Sequence, residues 1–376
     1  MHGDFKKQFE NLCNESLIKT ETLFVAQKAK HLSTFSEHVH SMCEKLLELQ
    51  KDSILPNISH IEYTILYTNF LNRHYVAEVW VYGDKDYRNK RYCDKNQYMI
   101  GEYDISPLFV YFDELWENLI SERRRYVGKV SEKDVSECML QALPKFYSYL
   151  ISIARFVMKD CIDEKPFADI VKDDEIRVSV GDYMAKTEPV YVESKVKDAD
   201  TLAKCFEGQQ PYTHTFRDCS NLDFSGRSFE LTNLKYVQFR DSILSDVILD
   251  YSTLIGTDFY RAQMEKSRLD FSNVHEADFS HAKLKDASFR FVRGSAGMPD
   301  PKRWQHVGFL PVNFRNADLT NANFYNACLC DADFRDAILT GVDFTEATLD
   351  NAVFSTRELP LSEEQMSKII IDESSE

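Results

Sequence analysis

Cys328 and Cys330 flank Leu329, a C-x-C spacing able to bind a thiophilic metal or to cycle between dithiol and disulfide. No third or fourth ligand stands at metal spacing, so the pair reads first as two outward thiols. His38 and His40 are close in sequence, as are His275 and His281, but neither pair has a carboxylate partner at motif spacing. The run Arg123, Arg124 and Arg125 is able to hold a phosphate; its plainer use is at a helix C-terminus, where cations offset the dipole. Glycine-rich dinucleotide and phosphate loops, G-x-S-x-G and H-E-x-x-H are all missing. These residues point to no catalytic, cofactor or metal site, and the chain is expected to be non-enzymatic.

The elements that must position such residues show a stronger pattern. A large apolar residue returns every fifth position, 14 times from Phe224 to Phe289 and 11 times from Phe309 to Leu359. Of these, 23 are Phe or Leu; Met264 and Val274 are the exceptions. Two residues before most of them stands a small one, as at Ala262, Ala282, Ala317, Ala322, Ala332 and Ala352, with Arg227 and Arg357 breaking the rule. A period of five fits neither a helix nor a flat strand. Residues two apart on a strand share a side, so the small residue and the Phe or Leu both point inward, provided the chain turns a corner after each unit. A turn of about 90° per unit closes a square coil, and coils stack at about 4.8 Å, the spacing of paired strands.

Stretches such as Ala317-Asp318-Leu319-Thr320-Asn321-Ala322-Asn323-Phe324 resemble the pentapeptide-repeat family and its A-(D/N)-L-x-x unit. The resemblance implies an all-β right-handed quadrilateral β-helix over 212–360; the hand comes from the resemblance alone. After Leu359 come Pro360 and a capping-box pattern, Ser362-Glu363-Glu364-Gln365, then Met366, Ile369 and Ile370. A short amphipathic helix is expected there within 361–376, folded over the last coil or offered to a second subunit as a homodimer contact.

Residues 1–200 read as an α+β domain of unrecognised family, with 201–211 as cap or linker and the domain covering the first coil. Helical spacing runs over 5–51. Ile61, Tyr63, Ile65 and Tyr67 alternate on one strand, with Ala77, Val79 and Val81 on the next. Ser106-Pro107 opens a helix to Arg125, and Ser131 with Asp134 opens another, kinked near Pro144. A last hairpin is expected over 175–180 and 189–193.

The net charge of −16 argues against direct nucleic-acid binding. No apolar run reaches the roughly 18 residues of a membrane span, and the nine cysteines look like reduced thiols, so a cytoplasmic protein is expected. The repeat fails over 291–308, where composition favours a loop over a distorted coil. Met298, Arg303 and Trp304 in that segment are types enriched at interfaces. In the last coils Asp318, Asp331, Asp333, Asp336, Asp343, Glu346 and Asp350 face one base, Arg335. Some pentapeptide-repeat proteins protect DNA gyrase from quinolone-type poisons by resembling duplex DNA through an acidic rod, some with a projecting loop. The primary expectation is a rigid rod docking a protein partner through Met298, Arg303, Trp304, Asp318, Asp333 and Asp343, without cofactor. DNA mimicry towards a type II topoisomerase is the alternative; an enzyme or enzyme accessory with its site in the first domain is the third.

Overall fold

The computed structural model describes residues 3–83, 97–161, 165–183, 187–195, 199–207, 215–295 and 310–372. They form two compact units that divide between Val192 and Glu193.

The first unit begins with α1 (Gly3–Lys51), whose buried side chains Phe5, Phe9, Cys13, Leu17, Phe24, Phe35, Val39, Met42 and Leu46 recur at helical spacing. A five-stranded sheet of order β3-β2-β1-β4-β5 follows, built from β1 (Ile58–Ile65), β2 (Val76–Tyr82), β3 (Gln97–Asp104), β4 (Lys172–Asp182) and β5 (Thr187–Ser194). Strand β1 is antiparallel to β2 and parallel to β4. The chain between β1 and β4 includes α2 (Tyr67–Leu71), α3 (Val110–Arg123) and α4 (Glu132–Cys161). Phe35 of α1 meets Tyr63 of β1 and Tyr103 of β3 at 5.4 and 5.1 Å between ring centres, which seats the long helix on the sheet.

Several sequence expectations shift here. The first strand stops at Ile65, because Tyr67 opens α2 and donates its hydroxyl to Asp182 at 2.7 Å. Strand β3 was not anticipated, since as an edge strand it buries only Ile100 and Tyr103 and reads as polar. Ser106-Pro107 forms a 3₁₀ turn instead of opening the helix, Ser106 N–H donating to Asp104, and α3 starts at Val110. Ser131 and Asp134 do cap α4 reciprocally, at 2.8 and 3.2 Å, and the helix runs on through Pro144.

The second unit is the solenoid. Parallel bridges from Asp218↔Gln238 to Asp333↔Val353 join a residue to the one 20 further on, except across one enlarged coil, so four five-residue units make one coil of four faces. The expected columns are inside: Phe239, Phe259, Phe279, Phe314, Phe334 and Phe354 stack on one face at 4.8 to 5.5 Å. Phe289, Phe324 and Phe344 stack on the opposite face and meet them edge-on. Serines at the small positions satisfy themselves against the coil before: Ser242, Ser252 and Ser272 donate to the carbonyls of Cys219, Phe229 and Leu249.

Each corner is a turn in which the N–H three residues after the column residue returns to its carbonyl, as Ala262 does to Phe259. The residue two after each column residue has a positive φ, between 53° and 72°, at every fifth position from Phe216 to Phe291 and from Asn316 to Asn351. Only Gly226, Gly256 and Gly341 among these are glycines.

Both ends close within this unit. Helix α5 (Ala199–Glu207) places Leu202 and Ala203 in the same apolar core as the first coils, and Arg227 pairs with Asp200. Thus α5 supplies a closure of the first coil, in the stretch where 201–211 was expected as cap or linker. At the other end the capping box is present, Ser362 with Gln365, but α6 (Glu363–Met366) is a single turn and not an amphipathic helix. Ile370 instead lies in β7 (Ile370–Ile371), which pairs in parallel with β6 (Val353–Phe354). Continuing the ladder satisfies backbone groups that a helix lying across the edge would leave bare.

Candidate docking face

The segment 291–308 is where one coil grows. Four consecutive bridges, Asp278↔Asn313, Lys283↔Asp318, Ser288↔Asn323 and Arg293↔Cys328, step 35 residues in place of 20, an excess of 15. Gly294 still holds a column position: a Cβ there would meet Val312, Leu329 and Val274 at 2.6 to 2.9 Å, so only glycine fits where the chain leaves the coil. The described ladder breaks off after Arg293 and resumes at Asn313, so the excess of 15 residues falls between them as an insertion. Met298, Arg303 and Trp304 lie outside the described residues.

The acids of the last coils do not form a stripe. Asp318, Asp333 and Asp343 sit on three different faces, each one residue before a column residue, where the side chain accepts the N–H two residues on: Thr320, Arg335 and Thr345 at 3.1, 3.0 and 2.9 Å. Asp333 also takes a bidentate contact from Arg335; burial pushes its carboxyl up, and the guanidinium outweighs that and holds it below the usual range. Asp336 pairs with Arg315 and Asp350 with Lys368, both at 3.8 Å. These acids therefore hold turns and ladders before they hold any partner.

A different surface stands out on the corner columns. Leu231, Tyr251, Phe271 and Phe291 are twenty residues apart and so lie one above another at the same corner of four successive coils. Tyr251 and Phe271 stack at 4.9 Å and 2° between planes, Phe271 and Phe291 at 4.7 Å and 3°, and Tyr325 meets Phe291 edge-on at 5.5 Å. Leu231 is 66% exposed, Tyr251 53% and Phe271 46%. The signal was available in the sequence as a period of twenty, but attention to inward columns passes over it.

The backbone makes these choices costly. Every ridge residue has φ near 60°, a conformation that favours Gly or Asn and costs other residues about 1–2 kcal/mol. Aromatic stacking returns about 0.5–1.5 kcal/mol per pair, so fold stability does not select rings here. Beneath the ridge runs an ion ladder: Asp250 accepts Asp270 N–H and pairs with Arg268, while Asp270 accepts Arg290 N–H at 3.0 Å and its guanidinium at 2.9 Å. Both carboxyls are nearly buried and the guanidiniums half-exposed beside the rings.

The remaining chemical candidates resolve into local partners. His38 is packed among Phe35, Tyr63 and Tyr103, and burial pushes its pKa down to about 4; His40 is exposed beside Glu44. Arg123 pairs with Glu132 and Arg125 with Glu122. Ser36, His40, Cys43, Cys161 and Phe167 line a small cleft with about 30 Å³ of room. Among the described residues no group of three or more possible metal ligands gathers, and no helix is long and apolar enough to cross a membrane.

The family model described as Pentapeptide repeats (8 copies) matches residues 312–336, the coil and corner that follow the insertion. The match to the pentapeptide repeats covers those residues, and the N-terminal half matches no family model. No curated protein matches the chain. Similar solved structures include HetL, a pentapeptide repeat protein involved in heterocyst differentiation regulation from Nostoc sp. strain PCC 7120, at 16% identity over 43% of this chain and 98% of that one, TM-score 0.15. Another is a pentapeptide repeat protein of the Arabidopsis thaliana thylakoid lumen, at 23% over 43% and 81%, TM-score 0.18. QnrB1, a plasmid-mediated fluoroquinolone resistance protein, is 20% identical over 36% and 82%, TM-score 0.14. With scores this low, the fold rests on the chain's own ladder of bridges.

Proposed function

We propose that the chain is a non-enzymatic docking protein whose solenoid presents the Leu231, Tyr251, Phe271 and Phe291 ridge to a protein partner. The observation that carries this is a line of exposed, coplanar rings kept at backbone positions where rings are disfavoured. Aromatic residues dominate interface energetics, and the half-exposed Arg268 and Arg290 beside them add the other residue type enriched at hot spots. The ridge ends at the insertion, which reads as a second contact through Met298, Arg303 and Trp304. DNA mimicry towards a topoisomerase would draw on an acidic face; Asp318, Asp333 and Asp343 are instead spread over three faces and engaged in turns.

The test is capture by the tagged full-length chain. A partner retained by the unaltered protein should be lost by the Tyr251→Asn, Phe271→Asn pair while the melting temperature stays within a few degrees. Capture that survives this pair but is lost when Met298, Arg303 and Trp304 become Ser would move the site to the insertion. Capture unaffected by both sets would refute docking through either surface.

A further inference from the structure

We propose that Cys328 and Cys330 form a reversible dithiol–disulfide couple, oxidised by a hydroperoxide and set at the root of the insertion. The two side chains leave the same face of one coil on either side of Leu329, which fills the column behind them. Both are partly accessible, whereas Cys13, Cys43, Cys138 and Cys219 are buried. Cys328 is bridged to Arg293 on the coil before, and Ser295, the last described residue before the insertion, brings its Oγ to 3.1 Å from Cys328 Sγ. His275 Nδ1 lies 2.6 Å from the carbonyl oxygen of Ser295 and so fixes that residue. On the other side Asp350 stands next to Cys330 in its column, with Lys368 at 3.8 Å from that carboxylate.

This surrounding separates the two sulfurs. Cys330 donates its S–H to Cys328, Ser295 donates its hydroxyl, and Arg293 adds positive charge, which together hold Cys328 down at about 6 despite burial. Sharing its proton with Cys328, and then burial and Asp350, push Cys330 the other way. With its pKa lowered at Cys328 and raised at Cys330, the pair has the division of labour that an attacking and a resolving cysteine require. Among the described residues no third metal ligand joins them.

The reaction balances without a further reductant or cofactor. Cys328 thiolate attacks one oxygen of hydrogen peroxide; the S–O bond forms, the O–O bond breaks, and the departing hydroxide takes the Cys330 proton to become water. Cys330 thiolate then attacks the Cys328 sulfur; the S–S bond forms, the S–O bond breaks, and hydroxide leaves to be protonated by solvent. Two thiols are oxidised and one peroxide is reduced to two waters. A bridge spanning one residue pinches a backbone that the column holds extended, and strained bridges are the readily reduced, regulatory ones.

The full chain treated with hydrogen peroxide should give one peptide, containing both cysteines, that is lighter by two hydrogens and is restored by dithiothreitol. Cys330→Ser should stop at a sulfenic acid trapped by dimedone, and Cys328→Ser should abolish both products, each with an unchanged circular dichroism melt. Iodoacetamide labelling of Cys328 should be nearly flat from pH 7 to 9 and fall through about pH 6. The proposal is overturned if peroxide leaves both thiols open to alkylation, if the oxidation appears equally in Cys328→Ser, or if labelling still climbs about tenfold per pH unit between 7 and 8 as for an ordinary thiol.

Discussion

The coils before the insertion and those after it are built on one ladder but use it differently. After Val312 the small positions are Ala317, Ala322, Ala327, Ala332, Ala337, Val342, Ala347 and Ala352, and the left-handed corners are mostly Asn or Asp: Asn316, Asn321, Asn326, Asp331, Asp336 and Asn351. Before it, Ser242, Val247, Ser252, Thr257, Ser267 and Ser272 share the small positions with Ala262, Ala277, Ala282 and Ala287, and Tyr251, Phe271, Lys266 and Arg261 share the corners with Asn221, Asp241, Asp246 and Asp286. The later coils give the backbone the residue types it favours, and they are where the family model matches. The earlier coils depart from them at exposed corners, and the departures line up into a ridge over an ion ladder. Regularity therefore marks where the sequence specifies fold, and departure in register marks where it has been shaped for something else.

The largest effects should come from the interior of the later coils. Phe324 is buried between Phe289 and Phe344, and Phe324→Ala should cost about 3–5 kcal/mol in urea unfolding, as deletion of a buried ring does. Ala322→Leu should reach the upper end of the about 1–3 kcal/mol range for overpacking, because coils above and below prevent relaxation. An unchanged midpoint for either would mean the columns are not the core.

In the earlier coils Asp270→Ala should cost about 3 kcal/mol, the low end for breaking a buried pair since Arg290 is half-exposed, and should leave Arg290 N–H without its acceptor. A variant as stable as the parent would reduce the ion ladder to decoration. Smaller again is Asn321→Leu. By its outward direction it should be neutral; by its φ of 59° and its amide contact to Asp286 at 3.0 Å it should cost about 1 kcal/mol. Smallest of all in stability is Phe271→Asn, which exchanges ring stacking for relief of the corner and should leave the midpoint almost unmoved while partner binding falls.

What could be read from the sequence was what faces inward. The column period, the small partners, the C-terminal capping box and the failure of the repeat at 291–308 are carried by side chains whose burial selects them. The corners were hidden because the coil imposes φ on whatever residue stands there: Lys266, Glu276 and His281 adopt it as Asn does. The insertion's extent was hidden because fifteen is three fives, which keeps the repeat in phase on both sides of it. Strand β3 was hidden by its edge position. The candidate ridge was legible at a period of twenty, while the acidic residues expected to bind a partner had a nearer task in capping their own turns.

The most direct measurement is hydrogen exchange of the full chain with and without its captured partner. Peptides carrying Leu231, Tyr251, Phe271 and Phe291 should slow on binding, while those covering 313–354 exchange as before. Slowing confined to 313–354, with the ridge unchanged, would contradict the account and return the acidic coils to first place.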